Sequence, residues 1–232
     1  MKWGIIGAGR IAHRFSQSLL KFNGCELYAV ACRTQEKVDA FAKNYHVNVA
    51  YADYEAIVKD KNIDAVYIAV PHQYHFTWIM RCLKAKKAVL CEKPACLTVS
   101  EMQQVIQCAK ENHVLFMEAM KERFQPVYQT ILDCINHGTI GKITGIDSCY
   151  SGLVPEDFFL QSYLSDPSSM GCLSDVGIYG IAWIEQFVKD VPVLKHVYAN
   201  VKDSVYMYVR AEMEADSIDC VVTSGIDRNL EK

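Results

Sequence analysis

Lys2-Trp3-Gly4-Ile5-Ile6-Gly7-Ala8-Gly9-Arg10-Ile11-Ala12 opens the chain, and its reading decides the fold. Residues 2–6 have the composition of a short buried strand. Ile11, Phe15 and Leu19 then recur at four-residue spacing, which places them on one face of a helix. Between strand and helix, Gly7-Ala8-Gly9-Arg10-Ile11-Ala12 matches the dinucleotide fingerprint Gly-x-Gly-x-x-Gly/Ala. Gly7 permits a tight turn, Gly9 has no side chain to block a pyrophosphate, and Ala12 lets the helix pack closely on the strand. The helix start at Arg10 and Ile11 offers unpaired amides and the positive end of the dipole to phosphate. Glycines also mark ordinary turns. The preceding strand and following amphipathic helix supply the context that the fingerprint requires.

Working outward, strand and helix signals alternate as far as residue 119. The sequence predicts strands at 27–31, 63–70 (stopped by Pro71), 88–90 and 114–117. Val38, Phe41, Ala42 and Tyr45 follow a helical period, as do residues 76–83. Thr98-Val99-Ser100-Glu101 has the form of a capping box and opens a helix with Val99, Met102, Val105, Ile106 and Ala109 on one face. This alternation argues for a parallel sheet covered on both faces. After residue 120 the pattern changes. A helix carrying Val127, Ile131, Leu132 and Ile135 stops at Gly138. Strands are expected at 142–150, 194–201, 205–214 and 218–224, with a helix around 176–188. The fold class is therefore α/β. Residues 1–119 form an NAD(P)-binding Rossmann domain, and residues 120–232 an α+β domain for substrate and dimerisation, with a largely antiparallel sheet.

The second strand ends Ala31-Cys32-Arg33-Thr34. An NAD-binding site places Asp or Glu about 20 residues beyond the glycine loop to hold the ribose 2′-hydroxyl. Here the chain offers Arg33, the hydroxyl of Thr34 and, one helical turn on, Lys37. A guanidinium can grip a 2′-phosphate through two hydrogen bonds. The expected cofactor is NADP in preference to NAD. The competing reading of Arg33 is a solvated surface charge.

Cys91-Glu92-Lys93-Pro94 follows the strand at 88–90 and so falls at the carboxyl edge of the sheet, where such folds bind ligands. A lysine there can exchange a proton if burial or a neighbouring cation lowers its pKa, although a lone lysine is more often a surface charge. Met170-Gly171-Cys172-Leu173-Ser174-Asp175-Val176-Gly177-Ile178-Tyr179 sets Asp175 and Tyr179 four residues apart, on one helix face. Alone, the same segment reads as a helix start capped by Ser174 or Asp175.

Taken in order, the loop at Gly7–Ala12, the Ala69-Val70-Pro71-His72-Gln73-Tyr74-His75 turn, Glu92-Lys93-Pro94 and Asp175-Val176-Gly177-Ile178-Tyr179 resemble the glucose-fructose oxidoreductase / inositol dehydrogenase (Gfo/Idh/MocA) family. Met117-Glu118-Ala119-Met120-Lys121-Glu122-Arg123-Phe124 looks most like the branch holding dimeric dihydrodiol dehydrogenase and the NADP-dependent xylose dehydrogenases. The resemblance implies hydride transfer between a nicotinamide and a sugar, polyol or trans-diol lying between the domains. Lys93 would be the central catalytic lysine, Asp175 would orient substrate, and Tyr179 would serve as acid/base. Pro71, His75 and Glu92 would shape the cofactor pocket, and Arg123 would contact cofactor or substrate. Met170 replaces the first of two glycines usual before the Asp/Tyr helix. Lys121 stands where the branch commonly has tryptophan, which implies polar sugars over aromatic diols. Relatives normally continue beyond this length, so the second domain is expected to be shortened and its sheet incomplete. Two other readings compete: a nucleotide-binding regulator without catalysis, and an NAD-assisted glycosidase.

A net charge of −3 favours neither nucleic acid nor an anionic membrane as partner. The ten cysteines include no CxxC pair and no zinc-ligand spacing, so reduced, buried thiols and no metal are expected. The opening segment has no signal-peptide pattern. The expectation is a cytoplasmic protein, forming a homo-oligomer through its C-terminal sheet.

Overall fold

The computed structural model describes residues 1–230, which form two compact units, one of residues Met1–Ala119 and one from Met120 onward. The first unit runs β1 (Lys2–Ile6), α1 (Arg10–Leu19), β2 (Glu26–Ala31), α2 (Gln35–Tyr45), β3 (Val49–Tyr51), α3 (Tyr54–Lys59), β4 (Ala65–Ile68), α4 (His75–Lys84), β5 (Ala88–Cys91), α5 (Val99–Asn112) and β6 (Phe116–Glu118). All five pairings are parallel, in the order β3-β2-β1-β4-β5-β6. This is the doubly wound order of dinucleotide-binding sheets. Central strands are apolar on both faces because both faces are covered. Ile6, Ala29, Val66, Ile68 and Val89 pack with α4 and α5 residues Ile79, Leu83 and Val105 on one side. Ile5, Val30 and Tyr67 pack with Ala12, Leu19, Val38 and Phe41 on the other.

The capping box forms as expected. Thr98 Oγ1 accepts from Glu101 N at 3.2 Å, and Glu101 Oε2 accepts from Thr98 N at 3.2 Å. The buried face of α5 differs from the expectation: Val105, Cys108 and Ala109 are buried, whereas Val99 and Ile106 are exposed. Val99 is the first residue of α5, and Ile106 lies off the line of Val105, Cys108 and Ala109. β3 and α3 are too short to show a period, and the sequence pattern does not mark them.

The second unit holds α6 (Pro126–Asn136), β7 (Gly145–Ser151), α7 (Glu156–Gln161), a π-helical turn (Leu173–Gly177) leading into α8 (Ile178–Ile184), then β8 (Val193–Lys202), β9 (Val205–Ala215) and β10 (Ile218–Gly225). Its sheet order is β7-β10-β9-β8. The consecutive strands β8, β9 and β10 pair antiparallel as anticipated, but β7 joins β10 in parallel, so the sheet is mixed. The α8 and π-turn residues lie over one face, with Ile184 packed on Ile218 and Val222. β8 is exposed along its whole length. All ten cysteines are free. Cys82, Cys91, Cys108, Cys172 and Cys220 are buried, but Cys149 is exposed, so the expectation of buried thiols holds only in part.

Gly171, just before the π turn, adopts φ +54°, and a Cβ there would lie 2.3 Å from the Tyr206 carbonyl oxygen and 2.6 Å from Val205 Cγ1. Backbone blocks relief, so left-handed strain adds to overpacking. Gly171→Ala is expected to destabilise the second unit by about 3 kcal/mol, read as a lowered denaturation midpoint. An unchanged midpoint would remove this constraint on the segment carrying Asp175.

Candidate functional site

The loop between β1 and α1 fits a dinucleotide. Gly7 has φ +103°, and a Cβ there would stand 2.5 Å from the Ala69 carbonyl oxygen. Gly9 caps α1 with extended backbone, and nothing lies within 4 Å of the place a Cβ would take, so the space over the helix start is open. Ala12 is fully buried against the sheet. The first-turn amides that follow Gly9, at Arg10 and Ile11, therefore border that open space.

Arg33, Thr34 and Lys37 are exposed beyond the end of β2. Thr34 is the N-cap residue of α2, but its side chain makes no cap hydrogen bond. Tyr54, at the start of α3, is a neighbour that the sequence does not announce. Burial raises its phenol pKa and Cys32 adds to this, while the adjoining Arg33 guanidinium pulls it back down. The Tyr54 ring meets Trp78 edge-on, with centroids 5.2 Å apart. The nearest signal in the sequence is the Asp53 cap, whose side chain accepts from Glu55 N.

The segment 92–95 is held from three sides. Tyr67, only 2% exposed in the middle of β4, donates its hydroxyl to Glu92 Oε1. The Tyr67 ring stacks on Phe15 of α1 with centroids 3.9 Å apart. Ala95 N donates to Glu118 Oε1 at 2.7 Å. The third hold is His75, which is 1% exposed: Nδ1 lies 2.8 Å from the Pro94 carbonyl oxygen and Nε2 lies 2.7 Å from that of Val70. The Lys93-Pro94 peptide is cis. Neither Tyr67 nor Glu118 stands out in the sequence, because nothing local marks their partners. The neighbouring thiols are poor nucleophiles: burial holds Cys91 well above its usual pKa, and burial with Glu101 and Glu118 pushes Cys96 up to about 12.

In the second unit, Asp175 lies in the π turn and Tyr179 in the first turn of α8. The helix-cap reading of Ser174 and Asp175 is corrected. α8 has no side-chain cap, Ser174 Oγ donates back to the Ser169 carbonyl, and Asp175 Oδ1 accepts from Tyr163 Oη at 3.0 Å. Lys121 Nζ lies over the Tyr179 ring, 5.4 Å from its centroid, and Tyr150 lies tilted against the same ring at 6.2 Å. Arg123, expected near cofactor or substrate, is exposed and pairs with Glu185 at 3.5 Å. Within its own unit it is tied to the far end of α8 and not to the Asp175–Tyr179 cluster. Among the described residues no helix is long and apolar enough to cross a membrane.

The His75 environment has a pH consequence. Burial lowers its pKa, the carbonyls of Pro94 and Val70 and the charge of Glu92 oppose this, and Lys93 adds to the lowering. The unfolded chain therefore takes up a proton on acidification that the folded chain resists. This contribution to stability is complete above about pH 6.5 and is lost as pH falls below it. The thermal midpoint is expected to fall between about pH 7 and about pH 5 more steeply in the native chain than in His75→Gln. Parallel profiles would show that His75 takes no part.

The family model described as an oxidoreductase family with an NAD-binding Rossmann fold (GFO_IDH_MocA) matches residues 1–120. The chain is 32% identical over 185 residues to the trans-1,2-dihydrobenzene-1,2-diol dehydrogenase of Xenopus tropicalis, covering 79% of this chain and 55% of that one. The Mus musculus protein of the same name is 36% identical over 145 residues, covering 62% and 44%. The chain thus spans about half the length of these relatives. Among solved structures, KijD10, a 3-ketoreductase from Actinomadura kijaniata in complex with NADP and TDP-benzene, is similar with a TM-score of 0.91, covering 98% of this chain and 70% of that chain. Its 23% identity makes this a likeness of fold. Sequence and fold agree with the four ordered motifs: the chain belongs to the Gfo/Idh/MocA oxidoreductase family, near its dihydrodiol dehydrogenase branch.

Proposed function

We propose that the chain carries the cofactor and proton-handling residues of an NADP-dependent oxidoreductase acting on a carbinol or carbonyl of a sugar, polyol or trans-diol. Residues 1–119 serve as the cofactor domain and residues 120–232 as the substrate domain. The observation that carries this reading is the threefold hold on segment 92–95, which fixes the backbone around Lys93 at the same sheet edge as a glycine loop with open space over its helix start. Such an edge is where doubly wound sheets bind ligands.

The first-turn amides of α1 after Gly9 hold the pyrophosphate. Arg33, set against Tyr54, grips the 2′-phosphate with Thr34 and Lys37 nearby; no acidic residue occupies the end of β2 to favour a 2′-hydroxyl. When bound, a nicotinamide would supply the hydride acceptor or donor. Lys93 holds the reacting oxygen and stabilises negative charge on it. Tyr179 takes the hydroxyl proton at its phenol oxygen during oxidation and returns it during reduction. Asp175, held by Tyr163, fixes the orientation of a substrate hydroxyl.

Lys93→Met is expected to lower turnover by about two to four orders of magnitude while NADP affinity, followed by fluorescence titration, stays within about twofold. Arg33→Ala is expected to weaken NADP by about tenfold or more and to leave NAD binding unchanged. Full turnover in the first variant, or equal loss of both nucleotides in the second, rejects the role assigned to that residue.

A further inference from the structure

Lys121 belongs to the 3₁₀ turn Lys121–Phe124, outside α8, and its ammonium lies 5.4 Å from the Tyr179 ring centroid. That is within the range of a cation–π contact. A positive charge held there is attracted more strongly to a phenolate than to a neutral phenol, so it favours the ionised form. We propose that Lys121 is a positioning residue for the Tyr179 proton: it stabilises the phenolate through which Tyr179 passes when it accepts or returns a proton. The inference rests on the acid/base role proposed for Tyr179.

The surroundings of Tyr179 sharpen the argument. The ring of Tyr150, from β7, lies tilted against it at 6.2 Å and carries no charge as a phenol. Asp175, one turn earlier, carries a negative charge and accepts from Tyr163. Glu122 stands 3.7 Å from Lys121 Nζ. Both carboxylates oppose a phenolate, and Lys121 sets a positive charge over the ring. Removing it takes that positive charge away from the ring. The Lys121 side chain is 61% exposed, so the effect is limited by solvent screening and should shrink as salt rises.

The test compares the native chain with Lys121→Met and Lys121→Arg, each with and without Tyr179→Phe. Subtracting the ultraviolet titration of each Tyr179→Phe partner isolates the ionisation of Tyr179. Its midpoint is expected to rise by about half a pH unit in Lys121→Met and to return toward the native value in Lys121→Arg. In the alcohol-oxidation direction the base must be ionised, so the acidic limb of the kcat/KM profile should move to higher pH by the same amount. An unmoved midpoint in Lys121→Met overturns the inference. So does a shift that arginine fails to restore, because that points to lost packing and not to charge. Full turnover in Tyr179→Phe alone is a separate result: it rejects the acid/base role of Tyr179, whatever the spectroscopic midpoint shows.

Discussion

No side chain fits between Gly7 and the carbonyl of Ala69, where a Cβ would stand 2.5 Å from the oxygen. That close approach joins the first turn of the sheet to the turn after β4. It is reinforced on both sides: Gly7 N donates to the Ala31 carbonyl at 2.9 Å, and Ala69 N donates to that of Ile6 at 2.8 Å. From Ala69 the chain passes to Val70, whose carbonyl meets His75, and the same ring meets the carbonyl of Pro94 beside Lys93. The glycine loop and the backbone beside Lys93 are therefore linked by continuous contacts through the buried His75 ring. His75 has two carbonyl partners but, as a neutral imidazole, only one N–H. The site thus depends on a ring whose protonation decides how many of its two contacts are hydrogen bonds.

The two units solve the burial problem differently, and this decides where chemistry can sit. In the first unit, apolar clusters cover both faces of the parallel sheet. Polar groups are then confined to strand ends, and the carboxyl edge gathers the glycine loop, the 69–75 turn and segment 92–95. In the second unit the sheet is covered on one face, and β8 exposes Val193, Leu194, Val197, Tyr198 and Val201. Its polar cluster is built on the helical segment that covers the sheet, where Asp175 and Tyr179 project near Lys121, Tyr150 and Tyr163.

What the sequence discloses follows from what is local. The capping box has its physical cause within a few residues; the glycine fingerprint and the Glu-Lys-Pro triplet are legible as residue patterns, although the contacts that hold them reach to Ala69, Tyr67 and His75. His75 is legible as part of the 69–75 motif, but its two carbonyl partners are not. Tyr67, Glu118 and Tyr54 act on groups 25, 23 and 21 residues away, at Glu92, Ala95 and Arg33, and no periodicity announces such partners. The parallel β7–β10 pairing is hidden for the same reason: strand direction depends on the intervening helices and not on the composition of either strand. The exposed Val99 and Ile106 show the limit of a helical period, which gives a stripe but not its centre: the buried line runs through Val105, Cys108 and Ala109.

Lys121 bears most directly on substrate. The named activity of the Xenopus and mouse relatives concerns an aromatic-derived diol, whose ring calls for an apolar surface. An exposed ammonium over Tyr179 offers the opposite: a hydrated point charge with three donors. Displacing its water for the apolar diene edge of such a ring costs free energy that a substrate with hydroxyls all round, able to replace those hydrogen bonds, does not incur. Under the proposed function, the side chain assigned to the Tyr179 phenolate would also favour sugars and polyols. Family likeness at about a third identity and the chemistry of one side chain point in different directions. For the proposed function the local charge should weigh more, because it lies over the ring to which the proton transfer is assigned.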